Sequence, residues 1–502
     1  MVKRNLIANY FGTGWSAVMG LAFVPLYIKY LGIEAYGLIG VFLSLQGWFA
    51  LLDMGLTPTL NREMARFTAG MHTPQSIHNL LRSMEIVFLG SGVLIMFLVM
   101  GLSSWIATDW LNAQTLTIKT VTQALAITGV IIGLRWISTL YRSALLGLEH
   151  HVWLNFVNAC FSTIRGVGAV AVLAYLAPTI QAFFVYQGII GTIEIAVFAW
   201  KIRKVLPDPP QSPKFSMGAL KGISRFAAGM TTITVLATLM TQVDKLLLSK
   251  LLTLEQFGYF TLATTVAGAL TALSIPISNV AFPRFTALIA AGDEKTFAEQ
   301  YHKFAQLLTI AVIPAALILC FFSQEILFLW TRDIATSQAV APILSVWVIG
   351  AALSCLMNVP YTAQIASGWL KLTIVVNSFA VAIMIPALLI LVPQHGAIAA
   401  AWVWVVVNAG FVLFSIPAMH SRILKQEKWK WYGADVFWPL VAALLFSTGM
   451  LVLHEARVAM TQLQEAAYII GGGASMVLAT AAATQVGRQA ISKLCNLNSW
   501  VR

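Results

Sequence analysis

The chain has 502 residues, of which 59% are apolar and only 10% are charged, and its mean hydropathy is +0.81. An ordinary soluble domain is excluded, because such domains carry about 25% charged residues. The net charge of +12 argues against a nucleic-acid partner, because the basic residues are spread over the segments between apolar runs instead of forming one patch.

Apolar runs follow one another along the chain, and a helix of about 20 apolar residues crosses a bilayer core of about 30 Å. Helices are predicted because lipid offers no hydrogen bonds to an open backbone. The first predicted spans are 7–28, 36–57, 84–107, 117–145, 153–176, 179–200 and 226–249. The others are 257–282, 304–322, 338–361, 372–392, 396–417, 436–453 and 465–484. The polar segment 60–82 is predicted to lie along the membrane surface. The sequence thus indicates an all-α polytopic membrane protein with about fourteen transmembrane helices.

Lysine and arginine concentrate on one predicted side of the membrane. If the N-terminus lies in the cytoplasm, most of the 31 basic residues fall in cytoplasmic segments. This distribution follows the positive-inside rule, which relates basic loops to the cytoplasmic face. We therefore expect a multi-pass protein with both termini in the cytoplasm.

A short polar motif occurs twice at a constant offset of 221 residues. KYLGIEAYG at 29–37 matches KLLTLEQFG at 250–258 in lysine, leucine, glutamate and glycine. Each copy follows the first helix of a predicted six-helix half, which indicates two parallel lobes related by an axis along the membrane normal. The predicted domains are an N-terminal lobe (1–204), a cytoplasmic linker (205–225), a C-terminal lobe (226–420), and two additional helices with a cytoplasmic tail (421–502).

Six stretches, one of which includes the second copy of this motif, resemble one protein family. They are LLDMGLTPTLNREMAR (51–66), LYRSALLGLEHH (140–151), QVDKLLLSKLLTLEQFGYFTLA (242–263), PISNVAFPRF (276–285), ILFLWT (326–331) and QIASGWLKL (364–372). In this order they resemble the polysaccharide-transporter branch of the multidrug/oligosaccharidyl-lipid/polysaccharide exporter superfamily, which includes O-antigen flippases. The motifs mark the superfamily better than the substrate.

The resemblance implies a V-shaped pair of six-helix lobes around a central cavity. It also implies a flippase of the bacterial inner membrane that moves an undecaprenyl-pyrophosphate-linked oligosaccharide to the periplasmic leaflet by alternating access. The expected partners are this lipid-linked oligosaccharide, membrane lipid, and a glycan polymerase or other assembly proteins. No enzymatic activity and no cofactor are expected, apart from H+ or Na+ as a coupling ion.

Arginines within the apolar runs are the candidate substrate-binding residues. Arg135 and Arg165 lie deep in predicted spans four and five, and Arg142 follows Arg135 by two helical turns. Such buried cations face protein or a watery cavity, and guanidinium groups bind phosphate and carboxylate in a bidentate manner. The alternative is a structural role, in which Glu194 of span six neutralises Arg135 or Arg165.

Glu194 and three other charged residues are candidates for a gate or for ion coupling. Asp244 and Lys245 lie near the outer end of span seven, where they either contribute to coupling or hold the helix end at the interface. Asp53, near the inner end of span two, either pairs with Arg62 or Arg66 to close an inner gate or caps the following turn.

Proline residues inside spans are candidate hinges, because proline removes a backbone hydrogen bond and kinks a helix. Pro25 and Pro276 lie on helices that would line the cleft in the family architecture, although a fixed bend is an equally good interpretation. The four cysteines show no metal-binding spacing, so no metal site is expected. A multidrug exporter of the same fold is the main alternative function, and a membrane-embedded glycan polymerase or ligase is a more distant one.

Overall fold

A computed structural model of the chain describes residue 12 and residues 14–456 and 461–497. The chain divides into two compact units, Met1–Gly258 and Tyr259–Arg502. The first unit contains α1 (Gly14–Leu31), α2 (Ile33–Asp53), α3 (Leu56–Thr68), α4 (Pro74–Trp110), α5 (Ile118–Gly147), α6 (His151–Tyr175), α7 (Ile180–Val205) and α8 (Met217–Leu251). The three boundaries between the four predicted domains stay a prediction.

Helix α9 (Leu254–Ala291) begins at the end of the first unit and continues into the second. The second unit then contains α10 (Glu294–Phe321), α11 (Ser323–Thr331), α12 (Ile334–Ala366), α13 (Leu370–His395), α14 (Ala397–Arg422), α15 (Lys428–Glu455), α16 (Gln462–Ala483) and α17 (Gln485–Leu497). No strand occurs in the part of the chain that the structure describes.

Thirteen of the described helices are long and apolar enough to cross a membrane. The predicted seventh span, 226–249, lies within the additional helix α8. The predicted all-helical polytopic fold with about fourteen spans is therefore confirmed. Residues 60–82 do not form one surface segment, because α3 ends at Thr68 and the long helix α4 already begins at Pro74.

Threonine side chains define where three of the spans begin. Thr73, Thr117 and Thr179 each precede a helix and accept a hydrogen bond from the backbone N–H three residues later, and Pro74 occupies the first position of α4. Both features stabilise a helix start, because the first N–H groups of a helix have no intrahelical acceptor. The starts of α4, α5 and α7 are thus encoded locally.

The segment between α7 and α8 is attached to the side of α4. Three of its backbone N–H groups, at Gln211, Lys214 and Ser216, donate to side-chain oxygens of α4 at distances of 2.8–2.9 Å. The acceptors are Gln75, Asn79 and Ser83. These residues are four apart and so lie along one helix face. The predicted linker is therefore held along one helix of the first unit, and its last residues belong to α8.

The two copies of the repeated motif contact each other within the first unit. A Cβ atom added to Gly37 would overlap the carbonyl oxygen of Leu254, and one added to Gly258 would overlap the carbonyl oxygen of Ile33. The two contacts are equivalent, since 33 and 37 correspond to 254 and 258 at the offset of 221. Glycine is required in both copies because the start of α9 approaches the start of α2 backbone to backbone.

The glutamate of the first copy has a structural role that explains its place in the motif. Glu34 is only 5% exposed, and its carboxylate accepts the backbone N–H groups of Gln114 (2.5 Å), Thr115 (2.8 Å) and Leu116 (3.0 Å). It also accepts the hydroxyl of Thr115. Hydrogen bonds to a charged acceptor are stronger than neutral ones, so Glu34 fixes the loop before α5.

We predict that Gly37→Ala and Gly258→Ala each destabilise the protein by about 1–3 kcal/mol, the usual cost of overpacking a close contact. The measurement is thermal unfolding of the purified protein in detergent. Gly20→Ala in α1 is the matched control, because a Cβ there meets nothing within 4 Å and alanine favours a helix. Equal unfolding midpoints for all three variants would contradict the proposed backbone contact.

Candidate functional site, a basic cavity in the first unit

A cavity of about 440 Å³ lies inside the first unit and is lined by helices that carry the predicted intramembrane charges. Its lining consists of Gly12, Ser16, Gln46, Arg135, Ser138, Thr139, Arg142, Asn155, Asn158, Phe161, Ser162, Arg165 and Glu194. Three arginines face one glutamate, so the cavity has a formal excess of positive charge. The remaining side chains are mostly amides and hydroxyls.

Arg135 lies in the cavity without an acidic partner among the described residues. Its Nη1 donates to Oε1 of Gln46 at 2.8 Å, and its guanidinium stacks over the ring of Phe42 at 4.9 Å from the centroid. The Nε atom is buried and has no hydrogen-bond partner. A neutral amide and an aromatic face orient the guanidinium without forming an ion pair with it.

Arg165 and Glu194 form an ion pair across the cavity wall, between α6 and α7. Their side chains are 16% and 9% exposed. Breaking such a buried pair on one side leaves an uncompensated charge. The sequence offered pairing with Glu194 as an alternative to cargo binding, and Arg165 makes this contact. Arg165 also lines the cavity.

One face of α5 and one face of α6 build most of the site. Arg135, Thr139 and Arg142 succeed one another on α5 at spacings of four and three residues, which places them along a single helix face. Thr139 and Arg142 are exposed members of this row, whereas Arg135 is half-buried. Since Arg135 lies 12 residues before the end of α5, it is about 18 Å from that end.

The facing row on α6 is polar but mostly uncharged. Asn155, Asn158, Ser162 and Arg165 line the cavity at spacings of three, four and three residues. Ser162 shares a hydrogen bond of 3.2 Å with Ser16 of α1. Amide and hydroxyl groups of this kind both donate and accept hydrogen bonds. The row can therefore bind a hydroxyl-rich molecule next to the arginines.

Three of the predicted gate or coupling residues lie outside this cavity. Asp244 is 7% exposed, and its Oδ1 has no hydrogen-bond partner, whereas the neighbouring Lys245 is half-buried. Asp53 accepts the backbone N–H of Thr57 at 3.0 Å and also the hydroxyl of Thr57, so it caps the start of α3. Arg66 pairs with Glu63 at 3.2 Å. A gating or coupling role for these residues stays a prediction.

The two candidate hinge prolines occupy different settings. Pro25 follows a turn at Phe23 that interrupts α1, whereas Pro276 lies inside the continuous helix α9. A break in helical hydrogen bonding is a common site of bending. The interruption makes Pro25 the better placed of the two, and movement at either residue stays a prediction.

Sequence reasoning missed Gln46, Phe42, Asn155 and Asn158, all of which shape the site. The two asparagines carried a signal that could have been used, because they precede Arg165 by ten and seven residues and so share its helix face. Gln46 and Phe42 carried none, because their contact with Arg135 depends on how α2 packs against α5.

A polytopic helical protein that encloses a basic cavity has the construction of a membrane transporter. The chain belongs to the polysaccharide biosynthesis protein family, whose family model matches residues 30–333. Together with the similarities below, this match makes it a polysaccharide transporter of the multidrug/oligosaccharidyl-lipid/polysaccharide exporter superfamily. The family resemblance of the sequence motifs is thereby confirmed.

Individual relatives and solved structures agree with this family. The chain is 22% identical over 404 residues to a Shigella flexneri protein described as "Putative O-antigen transporter", which covers 80% of this chain and 94% of that protein. The fold is similar to that of the lipid II flippase MurJ in an inward closed conformation, with a TM-score of 0.70, 13% identity, and coverage of 94% of this chain and 97% of that chain. It is also similar to an inward-facing multidrug resistance MATE transporter, with a TM-score of 0.67, 14% identity, and coverage of 82% and 96%.

Proposed function

We propose that the protein is a flippase that moves an undecaprenyl-pyrophosphate-linked oligosaccharide from the cytoplasmic to the periplasmic leaflet. Transport would proceed by alternating access and be driven by a gradient of H+ or Na+. The observation that carries this proposal is Arg135, a cavity arginine that is oriented by Gln46 and Phe42 and forms an ion pair with no carboxylate of the described residues.

The chemistry of the cavity suits the two parts of such a cargo. A pyrophosphate offers several anionic oxygens, which guanidinium groups bind through parallel charge-assisted hydrogen bonds. The Arg135–Arg142 row on α5 supplies these donors, and the polar row on α6 offers partners for sugar hydroxyls. Since a translocated cargo must also leave, a row of moderate contacts serves it better than a single strong site.

The proposed cargo also determines the membrane in which we place the protein. A pyrophosphate-linked glycan is built at the cytoplasmic leaflet, so we place the protein in a bacterial inner membrane with both termini in the cytoplasm. The Shigella flexneri protein described as "Putative O-antigen transporter" supports a glycan of that type. A glycan polymerase is the natural consumer of the product, and no enzymatic activity is proposed for this chain itself.

A multidrug exporter is the second candidate, because MATE transporters share the fold. Many exported drugs are organic cations, however, and a cavity with three arginines and one glutamate repels them. A glycan polymerase or ligase is less well supported, since nothing in the site beyond its binding groups favours catalysis.

The proposal is tested by deleting the gene and analysing lipid-linked intermediates by mass spectrometry. We expect an undecaprenyl-pyrophosphate oligosaccharide to accumulate in the cytoplasmic leaflet and to disappear when the wild-type protein is restored. Unchanged lipid intermediates together with increased drug retention would overturn the flippase and favour the exporter.

A further inference from the structure

A buried histidine in the second unit lies between two carboxylates. His302 of α10 is 4% exposed. Its Nε2 is 2.9 Å from Oε2 of Glu427, and its Nδ1 is hydrogen-bonded to Oδ2 of Asp435. Asp435 is fully buried, whereas the side chain of Glu427 is 29% exposed. The three residues come from α10, from the turn before α15, and from α15 itself.

This arrangement determines how many protons the three residues carry. An ionised carboxylate can only accept hydrogen bonds, and a neutral imidazole has one N–H donor and one lone pair. With both ring nitrogens facing carboxylate oxygens, a neutral ring would set a lone pair against one of them. Both contacts are satisfied when the neutral ring binds one more proton. His302 is then an imidazolium, with one N–H directed at each carboxylate.

The surroundings compensate the charges of this group. Gln306 donates to Oδ1 of Asp435 at 2.8 Å and accepts the backbone N–H of Val486 at 3.0 Å. Lys430 lies 3.6 Å from Glu427, so two cations then balance two carboxylates. The other titratable or charged groups near the cluster are Tyr301, His420, Lys428 and Tyr432.

Two further features favour a binding role over a purely structural one. Asp435 lies in a π-helical turn, Trp431–Phe437, within α15, and such turns occur often at functional sites. Glu427 and Lys430 also line a cavity of about 850 Å³ between the start of α10 and the turn before α15. A proton can therefore reach His302 through Glu427, while Asp435 remains enclosed.

The turn that carries Glu427 needs contacts from other elements to hold its conformation. Residues 423–427 connect α14 to α15, and both Leu424 and Gln426 have positive φ angles, 55° and 72°. This conformation is unfavourable for residues other than glycine, so it persists only where other contacts impose it. The hydrogen bond between Glu427 and His302 is such a contact.

We propose that His302, Asp435 and Glu427 form a proton-binding site whose proton fastens the turn 423–427 to α10. Loss of the proton removes the N–H donor toward one carboxylate, and the more exposed Glu427 is the one that detaches. Although burial raises the pKa of Glu427, the hydrogen bond from His302 and the charge of Lys430 hold that pKa below its ordinary value. Glu427 is therefore ionised near neutrality, as the site requires.

The first test is nitrogen NMR of the purified protein in lipid nanodiscs, with labelled histidine and with the His302 signal assigned by His302→Gln. We expect two protonated ring nitrogens at neutral pH. The fraction of His302 rings with both nitrogens protonated should be lower at the same pH in Glu427→Ala and Asp435→Asn, because each variant removes a neighbouring anion. His395→Gln, at an exposed histidine outside the cluster, is the control.

The second test follows the turn directly and needs no transported cargo. With the four native cysteines replaced by serine, a spin label on Lys425→Cys should be immobile at neutral pH and become mobile in Glu427→Ala and in His302→Gln. A single ring proton on His302 at neutral pH, or a label whose mobility does not change in these variants, would overturn the proposal. Since Glu427 is the least buried member, its replacement keeps the test valid even if the Asp435 variant does not fold.

Discussion

Replacing Arg135 by alanine should lower export of the lipid-linked oligosaccharide about 10- to 100-fold, with little loss of folded protein. A hydrogen bond to a charged group is worth about 1.5–3 kcal/mol, and about 1.4 kcal/mol corresponds to a factor of ten. Arg135 makes no ion pair with the described residues, so its removal strands no buried carboxylate. Export is measured as the ratio of flipped to unflipped lipid intermediate at matched protein levels.

Two variants make this prediction specific. Arg135→Lys keeps the charge but loses the planar fork of donors, so it should restore only part of the export. Arg284→Ala removes an exposed arginine of α9 and should leave export unchanged. Wild-type export by Arg135→Ala would show that the charge of Arg135 is not used by the cargo, and the proposed site would lose its main support.

The intramembrane arginines could be found from the sequence because a charge within an apolar run is conspicuous. Helical spacing was sufficient to place Arg135 and Arg142 on one face, and the antiparallel order of two consecutive spans brought Arg165 to a similar depth. These inferences use only local geometry, namely a rise of 1.5 Å per residue and a period of 3.6 residues. The structure brings all three arginines and Glu194 to one cavity.

Helical spacing could not decide which partner each arginine has. Both Glu194 and Gln46 were within reach of the arginines by depth, and packing alone decides that Arg165 meets Glu194 while Arg135 meets Gln46. The cluster around His302 was missed for the same reason, since Asp435 lies 133 residues further along the chain. Contacts between distant helices depend on their rotation and crossing, which a hydrophobic pattern does not specify.

The repeated motif was only partly interpretable from the sequence. Its regularity predicted a duplicated architecture, but the purpose of its glycines and of Glu34 became visible only in the structure. Gly37 and Gly258 allow the two copies to meet backbone to backbone, and Glu34 binds three consecutive N–H groups of a loop about 80 residues away. The glycines of both copies therefore serve packing, and the glutamate of the first copy caps a loop.

Replacing Arg165 alone should have two effects that a double replacement separates. Arg165→Leu leaves the carboxylate of Glu194, which is 7% exposed, without its partner, and breaking a buried pair on one side costs about 3–5 kcal/mol. We therefore expect the single variant to lose both thermal stability and export. The double variant Arg165→Leu with Glu194→Leu removes both charges, and since apolar replacements of buried pairs are often neutral or stabilising, it should recover most of the stability.

Export by the double variant then decides between the two roles of Arg165. If the arginine binds the cargo, export should remain at least about tenfold below wild type even though the unfolding midpoint has returned, because a charge-assisted contact to the anion is missing. If export recovers together with stability, Arg165 serves only to neutralise Glu194. In that case the anion-binding surface reduces to Arg135 and Arg142 on α5, and α6 contributes to the site through Asn155, Asn158 and Ser162 alone.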